Sequence, residues 1–174
     1  MGLSAAAYNY FAQRFPYLLT AEVVVNGSRN IISFFLIHAK ANADADSYNR
    51  RLNGAIELKD SLDLFYEGKN FMILGDFNDH LNGSILSGKD SPYIGFINDA
   101  NYDAVTLPLN TTGYQSTISY TNSVIDQQII NKNMSGWYIG GSAQIRTDVT
   151  NVVPDYRTRN TSDHYPISSI YRMK

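Results

Sequence analysis

The sequence predicts a single α/β domain, and three stretches carry that prediction. Phe71 to Leu74 is an uninterrupted apolar run bounded by turn signals, the pattern of a strand covered on both faces. Residues 47–67 form the helix ahead of it, with Leu52, Ala55, Ile56, Leu62 and Phe65 on one stripe and Arg50, Arg51, Glu57, Lys59 and Asp60 off it. Residues 17–39 read as a hairpin, two apolar strands joined at Asn26-Gly27. Strand, helix, strand in succession makes an α/β layer.

Taken in order, residues 4–13 have helical propensity, and Arg14-Phe15-Pro16 ends it. Tyr17 to Val25 and Ile31 to Ile37 are the hairpin strands, the second ending in His38-Ala39-Lys40. The polar loop 42–47 leads into the helix, which Asp46 or Ser47 caps and Gly68 stops. The buried strand ends in Gly75-Asp76-Phe77-Asn78. Spacing two sets Asp76 and Asn78 on one side of an extended segment, either as a carboxylate and amide presented to a ligand or as an Asx turn. Residues 79–92 are rich in Gly, Ser, Asn and Asp and read as a long surface loop, in which Asp79 and His80 are solvated. A short helix over 92–98 follows, then broken strands at 105–107 and 116–120 and a clear strand at 124–130 with Asp126 among apolar neighbours. A loop with Trp137, a strand at 142–146, an extended stretch with Pro154 and a last strand at 166–171 complete the chain.

Length and composition bound the rest. At 174 residues with 44% hydrophobic content, the chain can bury one substantial core, and no repeat or linker divides it. The net charge of -2 excludes a strongly basic nucleic-acid footprint, though not a nucleic acid reached through a few local arginines. The absence of cysteine removes disulfides, zinc thiolates and cysteine nucleophiles together. No apolar run reaches the roughly 18 residues of a membrane span, and the first twenty residues carry no basic segment followed by an apolar core.

His38, Asp76 with Asn78, Asp126, and Asp163 with His164 each stand at or beside the end of a predicted strand. Strand ends converge in α/β proteins, so residues distant in sequence can share one site. Each also has a structural alternative: a histidine satisfied by a carbonyl, a carboxylate satisfied by backbone N–H groups, or a turn.

Phe34-Phe35-Leu36-Ile37-His38-Ala39-Lys40, Ile73-Leu74-Gly75-Asp76-Phe77-Asn78-Asp79, Ser123-Val124-Ile125-Asp126 and Thr161-Ser162-Asp163-His164-Tyr165-Pro166 resemble, in order, four signatures of the DNase I-like endonuclease/exonuclease/phosphatase family. Gly-Asp-Phe-Asn and Ser-Asp-His-Tyr-Pro are the specific ones. The resemblance runs from about Arg14 to Tyr171 and leans toward bacterial extracellular or envelope members. It implies an α/β (α+β) fold, part of a four-layer α/β sandwich with mixed, largely antiparallel sheets and flanking helices. It implies phosphodiester hydrolysis with Mg²⁺ or Mn²⁺, nuclease-like, on a phosphate ester such as DNA or RNA; a small or lipid-linked ester is the alternative, and a non-catalytic binding module a third reading.

Carried over by motif, the resemblance makes His38, Asp76, Asn78, Asp126 and His164 catalytic, with Asp126 orienting His164. Asp76 and Asn78 position water and clamp phosphate oxygens, and Asp163 with Asp76 holds metal. Either Asp76 or a histidine is the base. Arg14, Asn78, Arg146 and Arg159, with Arg157 beside them, are candidates for substrate contact. The family's opening strand with an Asn, and the following unit with a metal-binding Glu, have no counterpart; the one acidic residue before His38 is Glu22. Residues 1–174 are therefore expected to be the C-terminal part of one such domain. Weak Mg²⁺ binding, little turnover and self-association through an uncovered apolar face are the expected consequences.

Overall fold

A computed structural model describes residues 2–156 and 161–173. Helix α1, Ala5–Tyr10, is capped by Ser4, whose side chain accepts from the Ala6 N–H, and it buries Ala7. Strands β1 (Tyr17–Val25) and β2 (Ser28–His38) pair antiparallel as the expected hairpin. Its turn has Asn26 at φ 50° and Gly27 at φ 81°, the left-handed pair that matches the twist of the flanking strands.

Helix α2, Ala45–Phe65, begins earlier than predicted because Asp44, rather than Asp46 or Ser47, accepts the Ser47 N–H at 2.9 Å. Its buried stripe also departs from the predicted one. Ala55 and Leu62 are inside, but Ile56 and Phe65 are about half exposed, and Leu58 and Arg51 take the inner positions at 1% exposure. The apolar periodicity was blind to Arg51, whose burial rests on an ion pair described below.

Strand β3, Asn70–Asp76, lies parallel to β2, the arrangement that a helical crossover permits. Gly75 is obligatory there: its φ is +126°, and a Cβ would stand 2.2 Å from the Ile37 carbonyl oxygen. Residues 77–93 hold no strand or long helix, as expected for a loop, but Asp79, Leu81 and Ser91 are buried, so the segment is packed rather than solvated.

Helix α3 (Ile94–Ile97) and the two-residue strand β4 (Tyr102–Asp103) follow. The strand expected at 105–107 gives way to a 3-10 turn, Leu107–Leu109, because Pro108 fixes φ and has no N–H to pair. The one expected at 116–120 reduces to a bridge between Thr117 and His164. Strand β5, Asp126–Asn131, starts at Asp126 itself and pairs antiparallel with both β3 and β4. Helix α4 (Lys132–Ser135) closes the edge. The last strands shrink to β6 (Gln144–Ile145) and β7 (Ile167–Ser168), which pair with each other, and the stretch before Pro154 is a 3-10 segment, Thr147–Asn151.

The result is a mixed five-stranded sheet, β1-β2-β3-β5-β4, with a separate two-stranded ribbon. On one face, Phe35, Ile37, Phe71, Ile73 and Ile129 pack against Leu58 and Leu62 of α2, each such side chain contributing roughly 1.5–3 kcal/mol of burial. On the other, Ile32, Met72 and Ile130 meet Met134, Trp137, Tyr138 and Tyr171 near β5. Toward β1 that face is bare: Tyr17, Leu19 and Leu36 are 66, 49 and 39% exposed.

Candidate active site

The pairing register places three chemistry-bearing side chains in a row. His38 is opposite Asp76 across β2 and β3, and Asp76 is opposite Asp126 across β3 and β5. His38 Nε2 lies 3.4 Å from Asp76 Oδ2. The chain beyond each strand continues the sheet's bonding: Ala39 N–H donates to the Asp76 carbonyl at 2.8 Å, and Phe77 N–H to that of Ile125 at 2.8 Å.

Asp76 is held by Asn78. Its Oδ1 accepts the Asn78 N–H at 2.8 Å and its Oδ2 accepts Asn78 Nδ2 at 3.0 Å, while the same amide reaches the Ala39 carbonyl at 3.0 Å. The Asx turn and the ligand-presenting reading thus coexist. Asn78 sits at φ 50°, a conformation Asn tolerates better than most residues. Beneath it, Tyr93 Oη donates to the Phe77 carbonyl and its ring packs on Phe77 at 4.7 Å.

Asp126 faces the other way along the row. Its carboxylate accepts from His164 Nδ1 at 2.8 and 3.0 Å, which fixes the tautomer and leaves Nε2 as the ring nitrogen available to a ligand. Ser116 locks this carboxylate, its hydroxyl donating to Asp126 Oδ2 at 2.7 Å and accepting from the Ile125 and Asp126 N–H groups. His164 is set by the bridge to Thr117, and its carbonyl accepts from Tyr156 Oη at 2.7 Å.

The electrostatics separate the members of the row. Burial, then the nearby Asp126 charge, pushes the Asp76 carboxyl up to about 6. The hydrogen bond to Asp126 outweighs burial at His164 and raises its imidazole to about 9. Burial, followed by the charges of Arg14 and His164, holds His38 below its ordinary value. Arg14, though exposed on the surface, thus acts electrostatically on both His38 and Asp76.

The five residues expected to be catalytic therefore stand together, with Arg14 in electrostatic reach. Arg146 instead engages Asp148 in a bidentate pair at 2.6 and 2.8 Å on the surface. Asp163 is exposed and bears on the site through its charge on His164 and its carbonyl, which accepts the Ile118 N–H. Arg157 and Arg159 lie outside the described residues. For Mg²⁺ or Mn²⁺ the described residues are a poor fit. Asp126 is turned to His164, and among the described residues no three acidic or imidazole groups converge as ligands.

Asp79, predicted to be solvated, is completely buried, and it organises the loops around the site. Its Oδ2 accepts Arg51 Nε at 2.8 Å and Ser84 Oγ at 2.9 Å, and its Oδ1 accepts the His80 and Ile85 N–H groups at 2.9 and 2.7 Å. Arg51 Nη1 then donates to the Lys40 and Asn42 carbonyls at 2.7 and 2.8 Å. One buried ion pair joins α2 to the segment after His38 and the segment after Asn78. Ser116, Arg51 and the His80–Ser123 contact at 2.9 Å were all missed by sequence reasoning. Asp79 alone carried a signal, standing directly after the Gly-Asp-Phe-Asn motif.

No family model and no curated protein matches the chain. Solved structures do. An endonuclease/exonuclease/phosphatase from Beutenbergia cavernae matches with a TM-score of 0.63 over 98% of this chain and 43% of its own, at 16% identity. The fold is DNase I-like. A 3′ phosphatase from Neisseria, bound to a product DNA hairpin, shares the DNase I-like fold with a TM-score of 0.61 at 14% identity, over 98% of this chain and 70% of its own. A protein of unknown function from Enterococcus faecalis V583 gives 0.55 at 16% identity, over 90% and 56%. The chain thus spans about half the length of the Enterococcus and Beutenbergia proteins.

Proposed function

We propose that the strand-end row of this DNase I-like chain serves phosphate-ester hydrolysis. The observation that carries this reading is the His164–Asp126 pair at 2.8 Å standing beside a carboxyl, Asp76, whose value is pushed up to about 6. The two groups are poised for opposite tasks at neutral pH. Asp76 is ionised but weakly stabilised as an anion, which suits a base that takes a proton from attacking water. His164 stays an imidazolium and aims Nε2–H at a phosphoryl oxygen or at the leaving oxygen. Asn78 fixes the Asp76 carboxylate, and Arg14 adds positive charge at the same end of the sheet.

We assign no resident divalent ion to these residues, since no group of three acidic or imidazole side chains among the described residues is arranged to hold one. Turnover by the chain itself is accordingly expected to be slow. A nucleic-acid substrate is the second reading, favoured by the DNA held by the Neisseria phosphatase of the same fold.

NMR titration of the chain with orthophosphate tests the site. The His164 ring resonances should shift on phosphate addition, and His164→Gln should weaken phosphate binding at least about tenfold. Unmoved His164 resonances at saturating phosphate would sink the assignment. Rapid hydrolysis of bis(p-nitrophenyl) phosphate in Mg²⁺, lost in Asp76→Ala, would instead overturn the expectation of slow turnover.

A further inference from the structure

Beside Asn78 a cavity of about 610 Å³ opens between the segment after β2, the loop after β3 and the segment ahead of β5. Asn78, one wall of this cavity, is the same side chain that holds Asp76, so whatever fills the cavity adjoins the phosphate site. The wall has two characters. Ala41, Ala43, Ile85 and Ile125 supply apolar surface, and the ring of Tyr120, 64% exposed, stands at it. The polar part of the lining includes Asn42, Asn122, whose amide oxygen accepts the Gly113 N–H, and the paired His80 Nε2 and Ser123 Oγ, 2.9 Å apart.

The charge pattern is the informative part. Among the described residues no Lys, Arg, Asp or Glu lines the cavity. A second phosphate group or a run of polynucleotide backbone would find no cation among these lining residues, and the Lys40 ammonium beside them is already bonded to the Ala41 carbonyl at 3.2 Å, although cations supply most of the affinity for such ligands. A bare hydrocarbon tail would displace water from the amides and from the His80–Ser123 pair without replacing the hydrogen bonds they make beyond those within the protein. A compact uncharged ring bearing several hydroxyls meets both conditions, with donors and acceptors for its hydroxyls and an aromatic face for its ring.

We propose that this cavity is a specificity pocket for the organic group of the ester, an uncharged hydroxylated ring of sugar size, seated with its phosphate toward His164 and Asp76. The assignment rests on the phosphate reading above. In this arrangement His80 and Ser123 read a hydroxyl, Asn42 and Asn122 read others, and Tyr120 stacks on the ring.

The test compares two probes, orthophosphate and a hexose 6-phosphate, by calorimetry on the full chain and on Ala43→Trp. Ala43 is exposed at the rim, so a larger side chain there fills the pocket without entering the core. The hexose phosphate should bind the wild-type chain at least about tenfold more tightly than orthophosphate. Ala43→Trp should erase that advantage and leave orthophosphate binding within about twofold of wild type. A second variant, Ser123→Ala, should reduce the advantage by about threefold to tenfold, the loss expected for one hydrogen bond. Equal affinity for the two probes, or an advantage that survives Ala43→Trp, would overturn the pocket while leaving the phosphate site in place. Failure of both probes to bind the folded chain would overturn the phosphate site and the pocket with it.

Discussion

Asp76 and Asp79 are three residues apart on the same strand exit, yet the structure uses them in opposite ways. Asp79 is wholly buried and accepts from Arg51, Ser84 and two backbone N–H groups, so its charge is compensated on every side. Asp76 is mostly buried too, but its donors come from Asn78, with His38 at 3.4 Å and the like charge of Asp126 in the same row. A satisfied carboxylate stabilises the fold, whereas an under-compensated one is held ready for chemistry.

The comparison breaks first at Arg51. Arg51→Ala strips Asp79 of its cation and leaves a buried charge, so urea denaturation should show a loss of about 3–5 kcal/mol. A loss under 1 kcal/mol would mean that Asp79 is not held as described.

Asp76→Asn should act in the other direction. A carboxyl raised from 3.8 to about 6 on folding binds more protons folded than unfolded between those values. Its penalty is therefore absent below pH 3.8, grows as pH rises and is complete above about 6, where it amounts to about 3 kcal/mol at most. Asp76→Asn should accordingly raise stability at pH 7 by up to that amount, leave it unchanged near pH 3, and abolish any phosphate-ester turnover. A variant less stable than wild type at pH 7 would reverse the comparison.

Asp126→Asn gives the sharpest spectroscopic change. Without the carboxylate, the His164 imidazole should fall from about 9 toward or below its ordinary value of 6.5, read by NMR titration of its ring protons. Because its folded value is raised, the stability His164 adds is fully present below pH 6.5 and disappears as pH rises through 9. That dependence should vanish in the variant.

Strands β2 and β3 were legible because each is an apolar run ended by a polar residue, and the hairpin because Asn26-Gly27 fits one turn geometry. His38, Asp76, Asn78, Asp126 and His164 were named from motifs, but their convergence needed the register, which sequence spacing does not encode. Arg51 was invisible in principle: a helix charge beside an apolar stripe reads as solvated unless its partner, 28 residues away, is known. Strand predictions failed at Val105 to Leu107 and again near the C-terminus. At the first, Pro108 turns the chain into a 3-10 segment; at the second, the pairing is a bridge or a two-residue ladder, too short for a hydrophobic period to register.

Gly75 carries no functional group, but it sets a measurement in the site. Its missing methyl lets β3 approach the Ile37 carbonyl more closely than any other residue would allow, one position before His38 and Asp76 face each other. The glycine is in effect a spacing gauge. Any side chain there would wedge the two strands apart at the point where imidazole and carboxylate must stay a few ångströms from one another, detuning both without touching either.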